Sequence, residues 1–219
     1  MLITSKRYTG FTLAEVLITL SIIGVVAALT IPSVVRDFQE TQFRAAFKKI
    51  YSDYSQAHLM VVADNGGSVR NTNVVASRLN LRNAHLQYVK HVKKCGGWEE
   101  IASNGNCWHV NNNWKYMNGA QATGGGYSAV LNNGALISMG DGQPNCGQGW
   151  DLCAEMFVDV NGFKGPNHVG KDIFGIGFRK SDTVPLGRPN DQYFTGSPCS
   201  YSNTTTQGWA CAYKVITNK

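Results

Sequence analysis

From Phe11 to Ile31 the chain runs FTLAEVLITLSIIGVVAALTI, 21 residues with one charge, Glu15. No other feature constrains the molecule as strongly. A helix rises about 1.5 Å per residue, so this run reaches about 30 Å, the hydrocarbon thickness of a bilayer. Lys6 and Arg7 precede it with no acidic residue beside them. Flanking basic residues stay on the cytoplasmic side, which places residues 1–10 inside and everything after the span outside.

Three readings of this segment compete. A secretory signal peptide has a shorter apolar region and a small-residue cleavage site at its far end; Val25-Val26-Ala27 is a poor match. A plain signal anchor fits the length. Neither explains Glu15, because a carboxylate near a membrane core costs several kcal/mol without a partner and so marks function. The third reading supplies a partner. Cutting between Gly10 and Phe11 creates an α-amino group on Phe11, about one helical turn from Glu15. In a bundle of staggered copies, the carboxylate of one subunit faces the ammonium of the next. A buried pair of this kind specifies register more than it adds stability.

The stretch Gly10-Phe11-Thr12-Leu13-Ala14-Glu15, followed by an apolar helix with Gly24 and Pro32, resembles the N-terminus of type IV pilins and type II secretion pseudopilins. The resemblance covers about residues 6–32. It implies a cleaved cytoplasmic leader (1–10), a transmembrane and filament-core helix (11–31), an extracytoplasmic half of the same helix (32–64) and a globular head (65–219). It also implies a prepilin peptidase acting after Gly10, methylation of the Phe11 amine, and a helix kinked or locally melted between Gly24 and Pro32. The implied partners are pilin-like subunits in a homo- or hetero-polymer, an inner-membrane assembly platform, a cytoplasmic ATPase acting through that platform, and membrane lipid. The implied location is the cytoplasmic (inner) membrane, single-pass, and then a cell-surface or periplasmic filament.

Beyond Pro32 the helical pattern continues. Phe43, Phe47, Ile50, Tyr54 and Val61 make an apolar stripe, and Asn65-Gly66-Gly67 stops it. Unbroken from Phe11 to about Asp64, such a helix is roughly 80 Å long, which no membrane requires.

The remainder is rich in glycine, with 24 in the chain, mostly after Gly66 and accompanied by Asn and Ser. That composition joins short strands through turns. Tyr127–Leu131 and Ala135–Met139 flank Asn132-Asn133-Gly134 as a hairpin, Glu155–Val160 alternates as a strand, and Ile173–Phe178 is another with glycine at alternate positions. Trp209–Ile216 reads as a closing strand. Antiparallel strands packed on one long helix make an α+β fold, and the pilin resemblance implies a roll of this kind.

The six cysteines form three sequence-local couples, Cys95/Cys107, Cys146/Cys153 and Cys199/Cys211, each spanning a Gly/Asn-rich loop. Outside the cytoplasm, oxidation to three disulfides is expected, each adding about 2–4 kcal/mol. Zinc is the weaker alternative, since only His109 lies near a couple.

One loop, Asp159 to Asn167, begins Asp-x-Asn-Gly. It lacks the later Glu and the flanking helices of an EF-hand. Some pseudopilins hold calcium in a C-terminal loop, and by that likeness Asp159, Asn161 and Asp172 are candidate oxygen ligands. The competing reading is a turn in which Asx side chains bond their own backbone.

Composition weighs against other classes. Net charge is +6, and removing Lys6 and Arg7 leaves 18 basic against 14 acidic residues, +4, which is weak for nucleic acid. His58, His85, His91, His109 and His168 are scattered, with no nucleophile–base spacing around them. Gly124-Gly125-Gly126 precedes a strand and is a turn, not a phosphate cradle. Trp and Tyr beside Asn are compatible with a sugar-binding face or with core packing. No catalysis and no required cofactor are expected. The leading expectation is a filament subunit; a membrane-anchored extracytoplasmic binding module, such as a tip adhesin, is the alternative.

Overall fold

The chain holds an α-helix from Leu13 to Asp64, labelled α1. The computed structural model describes residues 10–97, 106–110, 113–147, 151–189, 199 and 207–218. The chain divides into two compact units, residues 1–41 and 42–219. In the first, the apolar side chains are exposed on all sides of the helix: Phe11 is 89% exposed, Ile22 59% and Leu29 76%. α1 passes through Gly24 and Pro32 without interruption. Proline deletes one backbone donor, while the hydroxyls of Thr30 and Ser33 bond back to the carbonyls of Val26 and Thr30 within the same turns.

In the second unit the helix ends where the glycines predict. Gly66 and Gly67 take φ of +72° and +93°, and Gly67 N–H donates to the Val62 carbonyl at 2.9 Å. A single 3₁₀ turn, Asn73–Ala76, leads into α2, Arg78–His85, whose first turn is capped by the Ser77 hydroxyl.

Among the described residues eight strands follow: β1 His91–Lys94, β2 Trp114–Lys115, β3 Gln121–Ala122, β4 Ser128–Leu131, β5 Leu136–Gly142, β6 Ala154–Asp159, β7 Ile173–Phe178 and β8 Thr183–Pro185. Six form one antiparallel sheet in the order β1-β4-β5-β6-β7-β8, and β2 pairs with β3 alone. The β4–β5 hairpin turns over Asn132–Gly134, with Gly134 at φ +86° and its N–H donating to the Leu131 carbonyl.

One face of the sheet carries Met139, Met156, Val158, Phe174, Ile176 and Phe178 into a single core with the α1 stripe. Phe47 stacks on Phe174 with ring centres 4.5 Å apart. The alternate glycines of β7 serve the other face. A Cβ on Gly175 would lie 2.4 Å from Leu186 Cδ1, and one on Gly177 would lie 2.6 Å from Leu152 Cδ2. Both faces of β7 are therefore covered, and all six of its residues are buried.

The expected closing strand is instead a helix, α3, Ala210–Thr217. Ala210, Cys211, Ala212 and Val215 are its buried face, a helical spacing that alternation does not produce. Asn218, at φ +57°, closes it with a bond from its N–H to the Lys214 carbonyl. The chain is thus α+β, with Cys95–Cys107, Cys146–Cys153 and Cys199–Cys211 joined as disulfides. Among the described residues the tryptophans serve packing: Trp108, Trp114 and Trp209 are buried in one cluster with Leu136 and Ile173. Gly175→Ala is expected to destabilise this unit by about 1–3 kcal/mol through overpacking against Leu186, read as a lowered melting temperature of the chain in detergent.

Candidate functional site

Helix α1 begins at Leu13, which makes Thr12 its N-cap and Glu15 its third residue. The side chains use those positions reciprocally. Glu15 N–H donates to Thr12 Oγ1 at 3.2 Å, and Thr12 N–H donates to Glu15 Oε2 at 2.8 Å. The Thr12 hydroxyl adds a third bond, to the same Oε2, at 2.8 Å. This is a capping box, two orphan helix donors satisfied by one Thr/Glu pair. The sequence reading assigned Glu15 only to a partner in another subunit and gave Thr12 no role. The missed signal is the T-x-x-E spacing directly before an apolar run. Both bonds to the carboxylate fall on Oε2; among the described residues no donor reaches Oε1.

The surroundings of this pair are open. Phe11 is exposed, and nothing lies within 4 Å of a Cβ placed on Gly10. Lys6 and Arg7 lie outside the described residues. Downstream, α1 is long and apolar enough to cross a membrane, with a window of mean hydropathy 2.3 of which none is buried.

A second group of sequence-selected residues lies in the head. Asp159 closes β6 and Asp172 precedes β7, and both are fully buried. Asp159 Oδ1 accepts the Asn161 N–H at 3.1 Å, and its Oδ2 lies 2.7 Å from His109 Nε2. Asp172 accepts the N–H groups of Asn167 and His168, one on each oxygen, at 2.8 Å. The Asn161 amide donates to the Gly165 carbonyl. Apart from the His109 contact, these are Asx-type bonds of the loop to itself. Three of the four carboxylate oxygens accept a backbone N–H, and the fourth faces His109 Nε2. Among the described residues no group of three or more His, Cys, Asp or Glu side chains is placed to hold a metal. The side-chain oxygens of Asn161 and Asn167, in the same loop, are buried without a hydrogen-bond partner among the described residues.

Burial disfavours the charged form of both acids. It pushes Asp172 up to about 7, with the neighbouring Asp159 charge adding to the effect. Asp159 is also raised by burial, against the opposing pull of His109. The buried His109–Asp159 contact joins residues fifty positions apart, and nothing in the local sequence marks it.

Residues 5–31 match the family described as the prokaryotic N-terminal methylation motif. No curated protein and no solved structure matches the chain. The chain therefore carries the signature of type IV pilins and pseudopilins, a structural class processed by prepilin peptidase, at its N-terminus.

Two outcomes are expected. Thr12→Val removes the cap hydroxyl and costs about 1 kcal/mol of helix end, read as faster hydrogen exchange at the Glu15 amide with little change beyond the second turn. The second concerns Asp172, whose folded-state pKa is raised. Its contribution to stability is fully present below the ordinary carboxylate range and is lost as pH rises towards about 7. The stability difference between wild type and Asp172→Ala should thus be largest near pH 4 and smallest near pH 8, measured as the gap between their urea midpoints.

Proposed function

We propose that this chain is a filament subunit of the type IV pilus or type II secretion pseudopilus kind. It is held in the membrane by residues 11–31, trimmed between Gly10 and Phe11, methylated on the new amine and polymerised through α1. The observation that carries this reading is the uncovered apolar surface of α1. Side chains from Phe11 to Phe38 are exposed around the whole helix, and such a surface needs lipid or other copies of the same helix around it. Moving from lipid into a bundle of identical helices keeps that surface covered throughout.

Glu15 supplies the register. Its Oε2 holds the first turn of its own helix through Thr12, and its Oε1 is turned to no donor among the described residues. The Phe11 amine of an adjacent copy is the complementary charge. Mutual neutralisation in an apolar surround admits one axial stagger, because any other leaves two unpaired charges. The capping contacts keep the carboxylate partly satisfied before that partner arrives.

Its partners, on this reading, are pilin-like subunits, the prepilin peptidase, the inner-membrane platform with its ATPase, and lipid. Nucleic acid, a cofactor and catalysis have no part in it. A head groove of about 770 Å³ between α1 and the β4–β5 turn, lined by Ile50, Tyr54, Met60, Tyr88 and Leu131, supports a second reading. In that reading the chain is a membrane-anchored binding module whose head captures a ligand without forming the filament body.

Mass spectrometry of the protein from cells tests the first reading. The expected N-terminus is methylated Phe11. A chain still beginning at Met1, or beginning well beyond Ile31, would overturn it. Glu15→Ala separates the two readings: filaments are lost under the first, whereas localisation and ligand binding are unchanged under the second.

A further inference from the structure

Two histidines that the sequence keeps 27 residues apart meet in the core of the head. His58 comes from α1 and His85 ends α2, and both are fully buried. Their ring planes are parallel to within 1°, with ring centres 5.3 Å apart, and His58 Nδ1 lies 3.1 Å from His85 Nε2. The 2.2 Å between those two distances is about two imidazole radii. The rings therefore meet edge to edge, nitrogen to nitrogen, rather than face to face.

Each outer nitrogen faces a backbone carbonyl. His85 Nδ1 is 2.8 Å from the Leu81 oxygen, and His58 Nε2 is 2.8 Å from the Arg179 oxygen. The result is a row of three contacts: carbonyl to His85, His85 to His58, and His58 to carbonyl. A carbonyl oxygen only accepts, so both outer contacts require an N–H on the ring, and the inner contact requires a third. Two neutral imidazoles carry one N–H each. Neutral, the pair leaves one contact unmade, either a ring lone pair against a carbonyl lone pair or two lone pairs against each other. A buried polar contact left unmade is costly.

We infer that His58 and His85 form a single proton-binding site, which takes one proton from solvent, shares it across the inner nitrogens and thereby completes all three hydrogen bonds. The loaded pair is an imidazole–imidazolium dyad of charge +1. It joins α1 through His58, α2 through His85 and the chain just after β7 through Arg179.

The surroundings limit the site to one proton. Phe178 packs on both rings, with centres 4.3 and 5.1 Å away, and Tyr54 lies 6.0 Å from His85. On α1 the Tyr54 phenol is buried and held neutral. On α2 the Arg82 guanidinium is turned to the carbonyls of Cys95 and Ser128. After β7 the Arg179 guanidinium is bound to Asp182, with Asp151 3.9 Å away. Asp182 acts on His58 through space and favours its charged form. Among the described residues no carboxylate oxygen touches either ring. Burial therefore lowers both histidines, and His85 falls to about 3, with the His58 charge adding to burial. The first proton enters on the acid side of neutrality, and a second is excluded while the chain is folded. Both folded-state affinities are depressed, so the stability that the pair contributes is present above about 6.5 and is lost as pH falls. Because one proton is accommodated, acid unfolding in this range takes up one further proton at the pair rather than two.

The test is a pH titration of the full chain in detergent micelles with ¹⁵N-labelled histidine, observing the ring nitrogens by long-range ¹⁵N–¹H correlation. Two of the four nitrogens of this pair should carry protons at pH 8 and three after acidification. Both rings should shift together at one midpoint below 6.5. In His85→Phe, His58 should keep its N–H to Arg179 and lose that shared midpoint. Independent titration of the two rings, uptake of two protons in the folded chain, or two N–H groups persisting until the chain unfolds would overturn the inference. So would an unchanged His58 titration in His85→Phe, and if that variant does not fold, the wild-type nitrogen count decides alone.

Discussion

Apolar surface that a chain cannot cover with its own atoms must be covered by something else, at about 25 cal/mol for each Å². From Phe11 to Phe38 this protein leaves such a surface around an entire helix. Soluble helices confine apolar side chains to one stripe. Here the first such stripe occurs only at Phe47, Ile50, Tyr54 and Val61, where the same helix meets the core of the head. The change of pattern along one element separates a part that serves its own chain from a part that serves lipid or other chains. A lone carboxylate within the uncovered part then becomes the most constrained group in it.

Glu15 shows how such a group is made tolerable at several stages. Reaching back to the Thr12 N–H and hydroxyl satisfies one of its oxygens and two donors of the helix end at once. These contacts are local, and they need no second molecule. On the proposed filament reading, the Phe11 amine of a neighbouring copy would meet the oxygen left over and not the one holding the cap.

The head pairs buried polar groups both across long sequence distances and within single loops. His109 meets Asp159, Asp172 holds the backbone of the loop that leads to it, and His58 meets His85. His109 and His58 each meet a partner supplied by another element, whereas Asp172 is satisfied by backbone N–H groups of its own loop. The three disulfides add constraint covalently, joining cysteines 12, 7 and 12 positions apart.

What the sequence determined alone is whatever neighbours along the chain decide. The apolar run from Phe11 to Ile31, the stop at Asn65–Gly67, the β4–β5 turn and strand Ile173–Phe178 were all legible, because periodicity, backbone freedom at glycine and turn chemistry act over a few residues. The Thr12–Glu15 box was equally local, and it went unread because a second role for Glu15 took precedence. Tertiary structure decided the rest. Residues Ala210 to Thr217 alternate well enough for a strand, yet they form a helix because Ala210, Cys211, Ala212 and Val215 find a buried surface that only the assembled sheet provides. Which histidines meet, which acids are buried together, and why β7 carries glycine at 175 and 177 depend on side chains brought from distant positions. Such contacts exist only after the chain has closed on itself, and no local pattern encodes them.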